Sequence, residues 1–246
     1  MSEPSDSFRR LLAERSVTVT DRQLEQFELY YRELVDWNER MNLTAITEKE
    51  QVFLKHFYDS LTLSFYYPLD KVNMLADIGS GAGFPSIPLK IMFPHLRVTI
   101  VDSLQKRIGF LQSLAETLGL QDVECVHARA EDAARLPAHR DRYDLVTARA
   151  VARMNVLAEF CLPFARTGGA FVAMKGSDPA EELREAGFAL KALGGEFVSD
   201  HAFELPHDGS GRHIVIVRKT KPTPGKYPRK AGVPLKLPLT GSMSTK

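Results

Sequence analysis

A chain of 246 residues, 44% hydrophobic and 26% charged, can bury a substantial core and is most simply one domain of α/β size with length left for an extension. MSEPSDSFRR places no apolar stretch behind its charges, and no later segment approaches the ~20 apolar residues of a membrane span, so the composition speaks against a membrane partner and for a cytoplasmic protein. The net charge of +1 conceals an asymmetry: residues 209–246 hold nine Lys or Arg and no acid, leaving −8 on the rest, which points to a localised contact with a polyanion or to a solvated tail.

Residues 1–70 read as a helical extension. "TDRQ" at 20–23 is a capping box, after which Leu24, Phe27, Tyr31, Leu34 and Met41 recur at helical steps. "TEKE" at 47–50 repeats the signal and opens a helix whose Phe53, Phe57, Leu61 and Phe65 form one apolar stripe before Pro68 ends it. Residues 71–220 then alternate strand and helix. The candidate strands are "NMLADIG", "RVTIVDS", "VECVHAR", "DLVTARA", "GAFVAMKG", "EFVSDHAFEL" and "RHIVIVRK", a doubly wound, mostly parallel α/β sheet of seven strands. "PHDGSG" leaves no room for a crossover between the last two, which must be antiparallel. Residues 221–246 form a basic strap, where five prolines and two glycines between 221 and 239 forbid a regular helix and favour an extended path over the surface.

Three glycines, Gly79, Gly81 and Gly83, follow the first strand in "DIGSGAGFPSIPLK". A glycine turn between strand and helix lets bare amides approach a polar ligand. Phe84 stands where a dinucleotide site needs its third glycine, and no phosphate-loop Gly-Lys-Ser/Thr follows. A tight turn without a ligand is the plainer alternative. In a parallel sheet, ligands collect at the carboxyl ends of strands. Asp102 ends the second strand about twenty residues past the glycines, where a carboxylate accepts two ribose hydroxyls and disfavours a phosphate. Ala130 and Glu131 follow the third strand, where an adenine commonly lies. Arg149 follows the fourth and Lys175 the fifth. Cys125 and Cys161 sit in apolar runs without a C-x-x-C pair, which supports neither a disulfide framework nor a metal site.

A seven-stranded sheet with G-x-G-x-G after the first strand and an acid after the second resembles an S-adenosylmethionine-dependent (class I, Rossmann-like) methyltransferase. "NLTAIT" at 42–47, "KHFYDSL" at 55–61, "DIGSGAGFPSIPLKI" at 77–91, "DSLQKRIGFL" at 102–111, "ARAVARM" at 148–154 and "KYPRKAGVPLKLPL" at 226–239 together resemble the glucose-inhibited division protein B family. Ser86 departs from the glycine usual in its "GFPG". The resemblance implies methylation of guanine N7 in the 530 loop of bacterial 16S ribosomal RNA, with the RNA or the small ribosomal subunit as partner and a monomeric enzyme. It also implies that Gly79, Phe84, Asp102, Ser103, Leu104, Ala130, Glu131 and Arg149 hold S-adenosyl-L-methionine, and Gly81 of the glycine turn is a candidate beside them. Arg149 could meet the cofactor carboxylate or an RNA phosphate, both of which suit its forked donors.

The acceptor atom is narrowed by what is missing. "TARAV" lacks the Asn/Asp-Pro-Pro-aromatic turn of exocyclic-amine methylation, and neither cysteine is placed as the nucleophile that pyrimidine C5 chemistry needs. Ribose 2′-oxygen methylation stays as an alternative, since Lys175 stands where such enzymes keep a catalytic lysine. A non-catalytic, RNA-binding assembly factor is another. Guanine N7 has an unprotonated lone pair and needs no general base, so no catalytic acid or base is named. His56, Arg153, Lys175, Lys226, Arg229 and Lys230 are the candidates to hold the RNA.

Overall fold

The structure, a computed structural model, describes residues 3–149, 152–176 and 178–241. Ala150 and Val151 of the "ARAVARM" motif, and residues 242–246 of the basic strap with Lys246, lie outside the described residues.

Two longer helices, α1 (Pro4–Ala13) and α2 (Asp21–Met41), open the chain. Thr20 caps α2 as its sequence requires: its side chain accepts from Gln23 N at 3.2 Å and Gln23 returns the bond to Thr20 N. The next segment departs from expectation. "TEKE" does not form a capping box; Glu48 precedes α3 (Lys49–Val52) with no side-chain cap. The segment then widens into a π turn, Phe53–Tyr58, before α4 (Asp59–Leu61) and α5 (Leu63–Tyr66). Phe53, Phe57 and Leu61 are buried as the stripe predicts. On α2 the structure buries Phe27 and Leu34, but it is Tyr30, not the predicted Tyr31, that is fully enclosed.

The seven strands are β1 (Met74–Ile78), β2 (Arg97–Asp102), β3 (Val123–His127), β4 (Tyr143–Arg149), β5 (Ala165–Lys175), β6 (Gly195–Glu204) and β7 (Gly211–Lys219). They stand in the order β3-β2-β1-β4-β5-β7-β6. Only β7 runs against its neighbours, pairing antiparallel with both β5 and β6. Because successive side chains alternate between faces, two cores form. Leu75, Val98, Ile100, Leu145 and Val172 pack with Phe8, Phe27, Leu34 and Phe57 on one face, so the opening helices share the sheet's core. The helices α6 (Ser86–Met92) and α7 (Gln105–Thr117) join them there. Ala76, Val101, Val146, Phe171 and Val217 meet α8 (Ala130–Ala133), α9 (Met154–Cys161) and α10 (Ala180–Ala192) on the other. Tyr227 and Leu239 of the strap enter this second core. Among its described residues the strap forms turns and one short helix, α11 (Val233–Lys236), which takes Pro234 in its first turn, where a missing N–H costs nothing. The chain winds outward from β1 in both directions, leaving a crevice at the carboxyl ends of β1 and β4.

Candidate active site

The crevice is a cavity of about 490 Å³. Its floor is the glycine turn. Gly79 and Gly81 hold φ of 74° and 63°, left-handed conformations that L side chains rarely adopt, and they turn the backbone so that Gly79, Ser80, Gly81 and Ala82 all face the cavity. Gly83 shares the positive φ, at 98°, and is needed for a second reason, since a Cβ there would lie 2.8 Å from Ile87 Cγ1 and 2.9 Å from the Tyr30 hydroxyl. The third glycine therefore lets α2 approach, and Tyr30 locks the turn by donating to the Ala82 carbonyl at 2.6 Å. No sequence motif singles out Tyr30 or Ser80. Ser80 is 4% exposed, lines the cavity and has a hydroxyl without a hydrogen-bond partner.

Asp102, ending β2, is 3% exposed and faces the same cavity together with Ser103. Its Oδ1 accepts from Leu104 N at 2.9 Å, and its Oδ2 accepts from Gly81 N at 3.3 Å and Arg107 Nη1 at 3.4 Å. Leu104 itself does not line the cavity; its side chain is half exposed, and its part in the site is the amide that steadies Asp102. Arg107, on the first turn of α7 and within the "DSLQKRIGFL" motif, lines the cavity although it is not among the predicted site residues. Ala130 and Glu131 form the opposite wall. Glu131 is 3% exposed and reaches beyond the cavity, its Oε1 accepting from Gly232 N of the strap at 2.7 Å.

Phe84, Arg149 and His56 close the remaining side. The Arg149 guanidinium sits 4.8 Å from the Phe84 ring centroid, and the His56 ring stacks on the same phenyl at 4.6 Å. His56 Nε2 lies 2.8 Å from Thr44 Oγ1. Burial, aided by the charge of Arg149, pushes His56 down to about 3, so it is neutral at physiological pH. His56, a candidate to hold the RNA, is placed here as an uncharged wall stacked on Phe84. The π turn aims it there, and no periodicity in the sequence signals a π turn.

Beyond this wall lies a second cavity of about 280 Å³, sharing His56 and Arg149 with the first. Asp59 is its hub: Arg149 Nη1 donates to Oδ2 at 3.3 Å and Arg212 Nε to Oδ1 at 3.2 Å. Burial raises the Asp59 carboxyl while the two arginines oppose the rise. Lys55, Lys175 and His213 complete the basic lining, each with an acid of its own: Asp208 at 2.7 Å, Glu182 at 2.9 Å and Asp200 at 2.9 Å. Lys175, a candidate to hold the RNA, is 9% exposed and also donates to the Ala152 carbonyl at 3.0 Å.

Arg229 is a clearer correction. It grips Glu159, which is 0% exposed, through Nε at 2.9 Å and Nη2 at 2.6 Å, and its own amide donates to the same carboxylate at 2.7 Å. It anchors the strap, with only 20% of its side chain left exposed. Arg140 holds the carbonyls of Thr223 at 2.7 Å and Tyr227 at 3.0 Å, and Arg135 that of Pro228. Lys226 and Lys230 are exposed as expected. Arg153 is half exposed and pairs with Glu185 at 2.7 Å. The thiols are inert in their setting: burial pushes Cys125 up to about 11 and Cys161 well above its ordinary value.

Among the described residues no group of three or more His, Cys, Asp or Glu could hold a metal ion, and no helix is long and apolar enough to cross a membrane. Solved structures similar to this chain include the [4+2]-cyclase SpnF (TM-score 0.54, 15% identity, 67% of this chain and 80% of that one). Another is TYW2 of M. jannaschii in complex with AdoMet (TM-score 0.52, 15% identity, 66% and 74%). At that distance they speak for the fold alone, and a cyclase among them shows why. Sequence relatives are far nearer. Ribosomal RNA small subunit methyltransferase G of Halalkalibacterium halodurans is 59% identical over 95% of this chain and 98% of its own length. Its namesake from Bacillus velezensis is 56% identical over 96% and 99%. The family model GidB, rRNA small subunit methyltransferase G, matches residues 23–214, a span holding the glycine turn, Asp102, Glu131 and Arg149, and the chain belongs to that family.

Proposed function

We propose that this chain transfers a methyl group from S-adenosylmethionine to N7 of a guanine in the 530 loop of 16S ribosomal RNA, acting as a cytoplasmic monomer on the RNA or the small ribosomal subunit. The observation that carries the reading is the meeting of two cavities at one wall, His56 and Arg149. The larger has the size and polarity for the cofactor. Asp102 would take the ribose hydroxyls, the unpartnered Ser80 hydroxyl and the glycine-turn amides the methionine portion, and Ala130 with Glu131 the adenine. Arg149, on the shared wall, can serve the cofactor carboxylate or the RNA.

When bound, S-adenosylmethionine supplies a methyl group activated by its sulfonium. The chain's own contribution is placement. The smaller cavity would present the base edge across the Phe84–His56 wall, and Arg149 and Arg212, fixed by Asp59, would hold it in line. The N7 lone pair bears no proton, so no residue of the chain need take one up. The groups around the smaller cavity agree with that. Asp59 is spanned by two guanidinium groups, and the Lys175 ammonium, in an ion pair, has no lone pair to offer. The ribose alternative needs Lys175 as a base and is disfavoured by its pairing with Glu182.

The test is transfer from methyl-labelled S-adenosylmethionine to small subunits of a strain lacking the enzyme, followed by nuclease digestion and mass spectrometry. Label in 7-methylguanosine is the expected result. Label in a 2′-O-methylated nucleoside would replace this reading with the ribose alternative, and no transfer with retained RNA binding would favour the assembly factor.

A further inference from the structure

Composition alone would have the strap track RNA, yet one of its side chains faces the cofactor cavity. Leu235, on α11, lines the larger cavity together with Ala130 and Glu131 while its own surface is 54% exposed. A large apolar side chain left half open beside a cavity has apolar area still to lose to an occupant. The segment carrying it is held on its upstream side by two contacts, and downstream of it Leu239 is buried in the second core. Upstream, Arg229 is clamped to the buried Glu159; at the turn, Gly232 N donates to Glu131. Glu131 therefore belongs to the cavity wall and the strap at once.

We propose that the C-terminal strap is a wall of the cofactor site, with Leu235 covering the nucleoside end of S-adenosylmethionine. This rests on the cofactor reading above. Burial of the open half of Leu235 stabilises the complex, and the bond from Gly232 to Glu131 sets the height at which α11 stands. By linkage, whatever the strap adds to cofactor affinity the cofactor returns as order in the strap.

The experiment is calorimetric titration of the full-length protein with S-adenosylmethionine in the absence of RNA, paired with hydrogen exchange on the amides of Gly232, Val233, Leu235 and Lys236. Leu235→Ala should weaken binding about three- to tenfold, Leu235→Met should bind as the parent does, and both should unfold at the parent's temperature without ligand. In the parent protein the cofactor should slow exchange across α11. Parent-like affinity of Leu235→Ala overturns the proposal, as does unchanged exchange in α11 at saturating cofactor. A parent protein that does not bind S-adenosylmethionine at all would overturn the functional reading instead, so the two failures are distinguishable.

Discussion

Asp77, just before the glycine turn, couples the turn's stability to pH. It is fully buried beneath the glycines, and Ser86 N donates to its Oδ2 at 3.2 Å. Burial raises its carboxyl to about 7, with Ser86 and Arg149 opposing. A carboxyl raised above its unfolded value favours folding fully below that value and loses the contribution as pH climbs through the folded one. Asp77→Asn keeps an acceptor for Ser86 N without the titration. Its stability relative to the parent should therefore grow by about 3 kcal/mol between roughly pH 5 and pH 8, measured by urea denaturation at each pH. A difference that is constant with pH would show that Asp77 does not titrate in this range. Ser86 itself, where the family usually has glycine, is fully buried at the start of α6, so the hydroxymethyl is accommodated in the core. At this scale the sequence was legible wherever function follows from position at a strand end: Asp102, Glu131 and Arg149 all face the cavity that their places in the chain imply. What it could not show is what each side chain is already paired with. Lys175 and Arg229 read as candidates to hold RNA because Glu182 and Glu159 are neighbours only in space, seven and seventy residues away in the chain.

Among the elements, the strap changes most between sequence and structure. Its prolines confine helix to the short α11 among the described residues, but composition does not tell a loose tail from a clamped one. Arg229→Ala would leave the buried Glu159 carboxylate with one backbone amide as partner, and breaking such a pair should cost about 3–5 kcal/mol. Chemical denaturation should show the loss, while a surface change such as Lys230→Ala should stay within about 0.5 kcal/mol. If the two variants were equally stable, Arg229 would again be a candidate for RNA contact. Truncation after Thr220 is thus a poor probe of RNA binding: it strips Glu159 and Glu131 of partners and takes Tyr227 and Leu239 out of the core. The π turn is the other element that sequence could not supply. The aromatic stripe of Phe53 and Phe57 survives it, but the same extra residue rotates His56 toward Phe84, and only tertiary packing reveals that.

Over the whole molecule, the charge asymmetry and the two cavities belong together. Lys226, Lys230 and Lys236 are exposed on the strap that bounds the larger cavity, so a polyanion held there lies beside the crevice. Replacing all three by alanine should lower the logarithmic salt slope of RNA binding by roughly 0.7–0.9 for each phosphate contact removed, with the affinity for S-adenosylmethionine unchanged. Filter binding over a salt series measures it, and a parallel pair of lines would move the RNA face elsewhere. The central claim is that this chain methylates a nitrogen that needs no base, by placement alone. It is tested most directly by the single-turnover rate of methyl transfer to small subunits, with cofactor and substrate saturating, over about pH 6.5–8.5, each product mapped by borohydride reduction and aniline cleavage. A nearly flat profile with chain scission at one loop guanine is the predicted result. A rate climbing about tenfold per pH unit, with no scission and an adjacent phosphodiester resistant to alkali, would contradict it.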